Sequence, residues 1–268
     1  MSFPAPAPGA FALITGASQG IGEAIARQLA AEGHNLILVA RRQEVLQKLG
    51  DELSLTHGVD IEIFAGDLSK QRDVDALIRH IGNRTISICV NSAGIASFGP
   101  FMAQDWEYET NQFNLNATAV FRITKAVLDQ MVPRGEGALC NVGSAAGNLP
   151  IPNNATYVFT KAGVNMFTEA LHYELKDSGV HVTLLAPGPV REAYIPEEEQ
   201  TIVDKVVPDF LWTTYESCAA DTIRAMKANR RRIVPGPLAK TMDVVSNYAP
   251  RGWLPPIMGK FYAQMGEE

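Results

Sequence analysis

The chain has 268 residues, 46% hydrophobic and 19% charged, with 23 basic against 29 acidic side chains for a net charge of −6. Those proportions exclude a disordered chain and are enough for one large α/β core. The negative balance argues against a nucleic-acid-binding role; the densest basic run, Arg230-Arg231-Arg232, reads as a solvated helix end.

Residues 1–10 are rich in Pro and Ala and have neither a charged n-region nor an apolar h-region, so they read as a flexible segment and not as a signal peptide. Beyond them, short β-branched apolar runs alternate with longer amphipathic stretches, the pattern of a doubly wound parallel α/β sheet flanked by helices. About seven strands are predicted, at Phe11–Thr15, Asn35–Ala40, Ile61–Ala65, Ile86–Asn91, Gly137–Val142, Val180–Ala186 and Arg232–Val234. Helices are predicted at Gly20–Glu32, Gln43–His57, Lys70–Ile81, Asp105–Met131, Ala155–Ser178 and Glu216–Ala228, the fourth with a break near Asn111 or Asn114. No repeat or interior linker interrupts this alternation, so residues 11–236 form a single domain.

Two stretches do not fit. Residues 189–214 mix Glu197, Glu198 and Glu199 with Ile202, Val203, Phe210, Leu211 and Trp212, and a loop of that length reads as a substrate lid. The C-terminal extension 237–268 is rich in Pro, Met and aromatics; it is expected to pack on the domain or a second subunit, or else to line an apolar channel or touch a membrane surface. No apolar run reaches the ~18 residues of a membrane span. Cys89, Cys140 and Cys218 form no CxxC and read as buried thiols of a reducing cytoplasm. His34, His57, His80, His172 and His181 show no metal-ligand spacing, and no GxSxG elbow is present.

The run Thr15-Gly16-Ala17-Ser18-Gln19-Gly20-Ile21-Gly22 ends the first strand and opens the first helix. Gly16 suits the tight turn, Gly20 the approach of a pyrophosphate, and Gly22 close helix–strand packing, with the free N–H groups of the helix start aimed at the anion. The second strand ends in Ala40-Arg41-Arg42, where a carboxylate would receive the ribose 2′-OH of NAD. Two guanidinium groups favour the 2′-phosphate of NADP instead, with Ser18 as a further donor. Asp67-Leu68 and Asn91-Ser92-Ala93-Gly94 close the third and fourth strands at the edge where ligands bind; Asp67 faces the adenine or else caps the next helix.

Tyr157 and Lys161 stand four residues apart and share a helix face. An ammonium beside a phenol favours the phenolate, so Lys161 is expected to draw the Tyr157 pKa down from ~10 toward neutrality.

These features together resemble the short-chain dehydrogenase/reductase family. TGxxxGxG is Thr15–Gly22, NNAG is Asn91–Gly94 with serine second, YxxxK is Tyr157–Lys161, and the PG turn is Pro187-Gly188. The family's catalytic asparagine is matched to Asn114 and its serine to Ser144, with Gly143 where the family more often has serine. The resemblance implies a Rossmann-type fold and a homodimer or homotetramer. It also implies an NADP-binding set of Gly16, Ser18, Gln19, Gly20, Ile21, Gly22, Arg41, Arg42, Asp67, Leu68, Asn91, Ala93, Gly94, Tyr157, Lys161, Pro187, Gly188 and Val190. In the implied reaction Ser144 and Tyr157 hold a ketone oxygen, Tyr157 delivers the proton, Lys161 holds the nicotinamide ribose, and Asn114 holds a water. Two departures stand out: Glu192 replaces the threonine of PGxVxT, and Gln19 an arginine of many NADP-binding relatives. Residues 186–191, 206–212 and 248–251 resemble the mycolic-acid reductase branch, implying reduction of the 3-oxo group of a very long acyl chain. A broad carbonyl or steroid reductase, an alcohol dehydrogenase and a non-catalytic NADP-binding protein are the alternatives.

Overall fold

A computed structural model of the chain describes residues 2–192, 212–236, 240 and 243. Its centre is a seven-stranded sheet in the order β3-β2-β1-β4-β5-β6-β9, parallel throughout. The strands are β1 (Ala10–Thr15), β2 (Asn35–Ala40), β3 (Ile61–Ala65), β4 (Thr85–Asn91), β5 (Gly137–Val142), β6 (Val180–Leu185) and β9 (Arg232–Ile233). Helices α1 (Gly20–Ala31), α2 (Gln43–His57), α3 (Gln71–Gly82), α4 (Trp106–Phe113), α5 (Val120–Arg134), α6 (Ala155–Glu174) and α7 (Tyr215–Lys227) connect and cover them. A short parallel pair unforeseen in the sequence, β7 (Val190–Arg191) with β8 (Thr213–Thr214), lies apart from the main sheet.

The strands are apolar without interruption because both faces of the sheet are covered. Successive residues point to opposite sides, so Ile14, Leu36 and Leu38 meet Ile25, Leu29, Leu46 and Ile223, while Leu13, Ile37 and Val39 meet Leu77, Ile123, Val127 and Met131. Strand order reverses at β1, which pairs with β2 on one side and β4 on the other. A ligand crevice is expected beyond the carboxyl ends of these two strands.

Two expectations, on the opening segment and the end of α6, are corrected. The opening segment is not loose: Pro4 is buried, Phe3 packs on the core beside His34 and His181, and Ala7 O accepts from Ala10 N. The long fourth helix is interrupted at Asn114, one of the two expected positions, but by a change of helix type and not by a loop. Its backbone stays helical through a π turn, Asn114–Ala119, between α4 and α5, the form in which one extra residue is absorbed into a helix. Helix α6 stops at Glu174, where the chain turns through Ser178, whose hydroxyl donates to Leu175 O. Most of the proposed lid (193–211) and of the 237–268 extension lies outside the described residues, as do the 206–211 and 248–251 stretches of the mycolate resemblance. Among the described residues no helix is long and apolar enough to cross a membrane.

Candidate active site

The carboxyl ends of β1 and β4 open onto a crevice of about 390 Å³. Gly16, Ser18, Gln19, Gly20 and Ile21 form one wall, Arg41, Arg42, Asp67 and Leu68 another, and Ala93, Gly94, Tyr157, Lys161 and Pro187 the far end. The phosphate turn is pinned to the β4 turn by Thr15, whose Oγ1 accepts from Ser92 N (3.0 Å) and Ala93 N (3.1 Å). The two turns lie so close that a Cβ on Gly16 would stand 2.9 Å from Ala93 Cα. Gly22 lies behind the crevice and not in its wall: a Cβ there would overlap Gly16 O. Its role is therefore to let helix and strand close on each other.

The charge pattern of the rim divides between two arginines. Arg42 folds back onto the turn, donating from Nη2 to Ser18 O, Ser18 Oγ (3.1 Å) and Gln19 Oε1. Arg41 stays exposed at the crevice edge. Asp67 lines the crevice, in keeping with the adenine reading, and its Oδ1 closes a turn by accepting from Ser69 N (3.0 Å); the capping reading does not hold, since the N-cap of α3 is Lys70. Asn91 is buried away from the crevice. It ties β4 to β5 and α5 through Asn141 Oδ1 (2.9 Å) and Thr124 Oγ1 (3.2 Å). Gly188 and Val190 also lie outside the lining, Val190 packing on the core as part of β7. Glu192 is exposed.

Helix α6 presents Tyr157 and Lys161 one turn apart to the deep end of the crevice. Lys161 is 5% exposed; its Nζ donates to Val142 O at 2.9 Å and lies 5.7 Å from the centre of the Tyr157 ring. Burial alone draws the Lys161 pKa down to about 8. Tyr157 does not behave as the sequence predicts. Desolvation pushes its pKa up, opposed only by a hydrogen bond with the Ser144 side chain. The ammonium aims at a strand carbonyl and not at the phenol, so the acidifying contact is missing and burial wins. Ser144 itself is held at the start of a short 3₁₀ turn, Ala145–Asn148, with its Oγ accepting from Ala146 N.

The asparagine assignment also changes. Asn114, the first residue of the π turn, lines a separate outer groove with Lys70, Trp106 and Asn111. Two residues on, Asn116 is fully buried. Its Oδ1 accepts from Ile95 N (3.0 Å), and its Nδ2 donates to Ile95 O (2.8 Å) and Thr160 Oγ1 (3.3 Å). A point one Cβ bond above Gly94 lies 3.2 Å from Asn116 Oδ1 and 3.4 Å from Lys161 Nζ, so these two side chains flank the same spot. The signal was present in the sequence. Asn116 shares the buried stripe Gln112, Asn116, Ala119, Ile123, Val127, whereas Asn114 falls off it. Tyr215, at the start of α7, was also missed; its ring stands 3.4 Å from a Cβ placed on Gly20, and no spacing in the sequence points to it.

The short chain dehydrogenase family model matches residues 10–201. The chain belongs to the short-chain dehydrogenase family. Among curated proteins it is 35% identical over 182 residues to 17-beta-hydroxysteroid dehydrogenase type 3 of Mus musculus, covering 67% of this chain and 59% of that protein. It is 38% identical over 182 residues to the very-long-chain 3-oxoacyl-CoA reductase of Neurospora crassa, covering 66% and 55%. The match thus spans under two thirds of the length of these relatives. Among solved structures, a short-chain dehydrogenase from Sphingobium yanoikuyae in complex with NADPH superposes with a TM-score of 0.76 at 31% identity, covering 84% of this chain and 87% of that one. The seven-stranded sheet with its crevice at the β1/β4 reversal is the fold of this family.

Proposed function

We infer that the protein is an NADP-dependent oxidoreductase that reduces a ketone to a secondary alcohol. The observation that carries this reading is the joint position of Tyr157 and Lys161 at the deep end of a crevice whose other end is a glycine turn beside two arginines, with Ser144 just outside the lining and hydrogen-bonded to Tyr157. The crevice fits a dinucleotide: Gly16 leaves no room for a side chain against Ala93, and the N-terminus of α1 faces the opening. Gly16, Ser18, Gly20 and Ile21 would hold the diphosphate, Arg41 and Arg42 the 2′-phosphate, Asp67 and Leu68 the adenine, and Gly94 and Lys161 the nicotinamide side. When bound, the nicotinamide supplies the hydride.

The chain's own groups do the rest. Ser144 donates a hydrogen bond to the substrate oxygen and stabilises the negative charge that develops there. Tyr157, kept neutral by burial, gives its proton to that same oxygen. Lys161, its Nζ 5.7 Å from the centre of the Tyr157 ring, is the group assigned to return a proton to Tyr157. Asn116, not Asn114, takes the role of fixing the backbone around Ile95 and the polar path to Lys161. Swapping the arginines tests the cofactor. Arg41→Ala should weaken NADPH binding about 10²-fold and leave NADH binding within ~twofold. Arg42→Ala should weaken both, because it also holds Ser18 and Gln19. Equal losses of both cofactors in the Arg41 variant would refute the preference.

For the substrate, the curated relatives favour a large apolar ketone, and we assign the 3-oxo group of a long acyl chain, with a mycolate-type chain as the narrowest form. Exposed Phe101, Met102 and Trp106 follow the β4 end of the crevice and suit such a chain. A steroid ketone is the second reading, favoured by the mouse relative. NADPH consumption with long 3-oxoacyl-CoA, an α-branched long 3-oxo ester, a steroid ketone and a small ketone separates them. A kcat/KM more than about tenfold higher for the long acyl substrates supports the assignment. Equal rates on all four would refute it, and no consumption on any would refute the reductase. The exposed apolar residues Phe113, Phe121, Phe159 and Met166 on α4, α5 and α6 support a homodimer or homotetramer. The three unpaired, buried cysteines support a cytoplasmic location.

A further inference from the structure

Asn165 sits one helical turn beyond Lys161 on α6, is fully buried, and plays no part in the chemistry described above. Its carboxamide faces the backbone of Ser144 from both sides. Oδ1 accepts from Ser144 N at 3.3 Å, and Nδ2 donates to Ser144 O at 2.9 Å. The orientation of this amide is fixed, because Nδ2 also donates to Asn148 Oδ1 at 3.2 Å, at the far end of the same 3₁₀ turn. A flipped amide would put its oxygen against two acceptors and its NH₂ against an amide N–H.

The surrounding residues are small for the same reason. A Cβ on Gly143 would overlap Asn165 Oδ1, and one on Gly147 would stand 2.7 Å from both Asn165 Nδ2 and the backbone carbonyl carbon of Lys161, so that glycine also lets the turn lie against α6. The two glycines bracket the serine turn and leave the space that the carboxamide fills. The bonding continues outward. Asn148 Nδ2 donates to Asp243 Oδ1 (2.6 Å), and Asp243 pairs with Arg232, which also pairs with Glu169 (3.0 Å). Arg232 and Asp243 are themselves largely buried, so the chain of bonds runs from the serine to β9 without entering solvent.

We propose that Asn165 is a positioning residue that sets the backbone of Ser144, and hence the direction of its hydroxyl, through a two-point clamp braced by Asn148 and the Arg232–Asp243 pair. This rests on the role given to Ser144 under the proposed function. A serine at the head of a short turn can rotate about its flanking peptides. The clamp removes that freedom, and a hydroxyl that must meet a developing charge within a few tenths of an ångström depends on such support.

The test is a double-mutant cycle on ketone reduction: wild type, Ser144→Ala, Asn165→Ala and the pair. Ser144→Ala should lower kcat about 10²-fold. Asn165→Ala should lower kcat about tenfold with the NADPH dissociation constant unchanged. In the Ser144→Ala background the same change should cost less than about twofold, because the group it positions is gone. A full tenfold loss in both backgrounds would overturn the proposal, and so would a wild-type kcat for Asn165→Ala. A wild-type kcat for Ser144→Ala would instead overturn the reading of the site on which the proposal rests. Should Asn165→Ala not fold, the Gly143→Ala/Asn165→Ala pair refills the emptied space from the strand side and takes its place in the cycle. In that case Gly143→Ala alone should be strongly impaired, and impairment equal to that of the pair would overturn the shared-space argument.

Discussion

Tyr157→Phe is expected to lower ketone turnover about 10³-fold, on the order of 4 kcal/mol of barrier, while NADPH binding stays within ~twofold of wild type. The change removes one oxygen from a ring that otherwise keeps its place in the crevice wall. Ser144 cannot replace it, because an aliphatic hydroxyl is too weak an acid to release its proton and serves only as a hydrogen-bond donor at the substrate oxygen. Stopped-flow cofactor binding beside steady-state turnover separates the two effects. A phenylalanine variant that retains more than about a tenth of the wild-type rate would show that the proton comes from elsewhere.

The same pair sets the pH dependence. Lys161, drawn down to about 8 by burial, is charged below that pH and neutral above it. In the proposed reaction the charged form is the active one, so the reduction rate should be level up to about pH 8 and fall beyond it. Stability moves the other way. A lysine whose folded pKa lies below its free value weighs against the fold in full below pH 8. It weighs less as the pH rises toward 10.5, because only the unfolded chain then binds the proton. Chemical denaturation should show that this residue's penalty, about 3 kcal/mol, is relieved across that window.

Much of this was legible in residue types alone. Strands that are apolar on both faces and the glycine turn after β1 follow from local rules, and the predicted strands and helices stand within a few residues of those observed. The spacing of Tyr157 and Lys161 put both groups in the crevice, but it could not say which way the ammonium would turn. That is decided by Val142 O, the last carbonyl of β5, which becomes a neighbour only once the sheet is formed. The packing role read for Gly22 holds, although its motif also places it among the ligand contacts; Asn91 reads as a ligand contact because it sits inside a motif, whereas it ties β4 to β5. The clamp on Ser144 was illegible for the same reason, since Asn165, Gly143 and Gly147 meet only across an α6–β5 interface.

Asn116→Ala against Asn114→Ala is the sharpest contrast available. Removing the Asn116 carboxamide leaves Ile95 N and Ile95 O without their side-chain partners in the loop that carries Gly94, and removes the polar group flanking Lys161 Nζ across that glycine. Loss of these buried bonds should cost about 2–3 kcal/mol of stability. Turnover should fall about 10²-fold, because the loop and the polar path at Lys161 both lose their support. Asn114→Ala touches an outer groove and should leave kcat within ~twofold and stability within ~0.5 kcal/mol. Turnover and urea unfolding measured on both variants decide the matter. If the outer asparagine carried the loss and the inner one did not, the π turn would be presenting its first residue to the crevice, and the geometry around Gly94 would have to be redrawn.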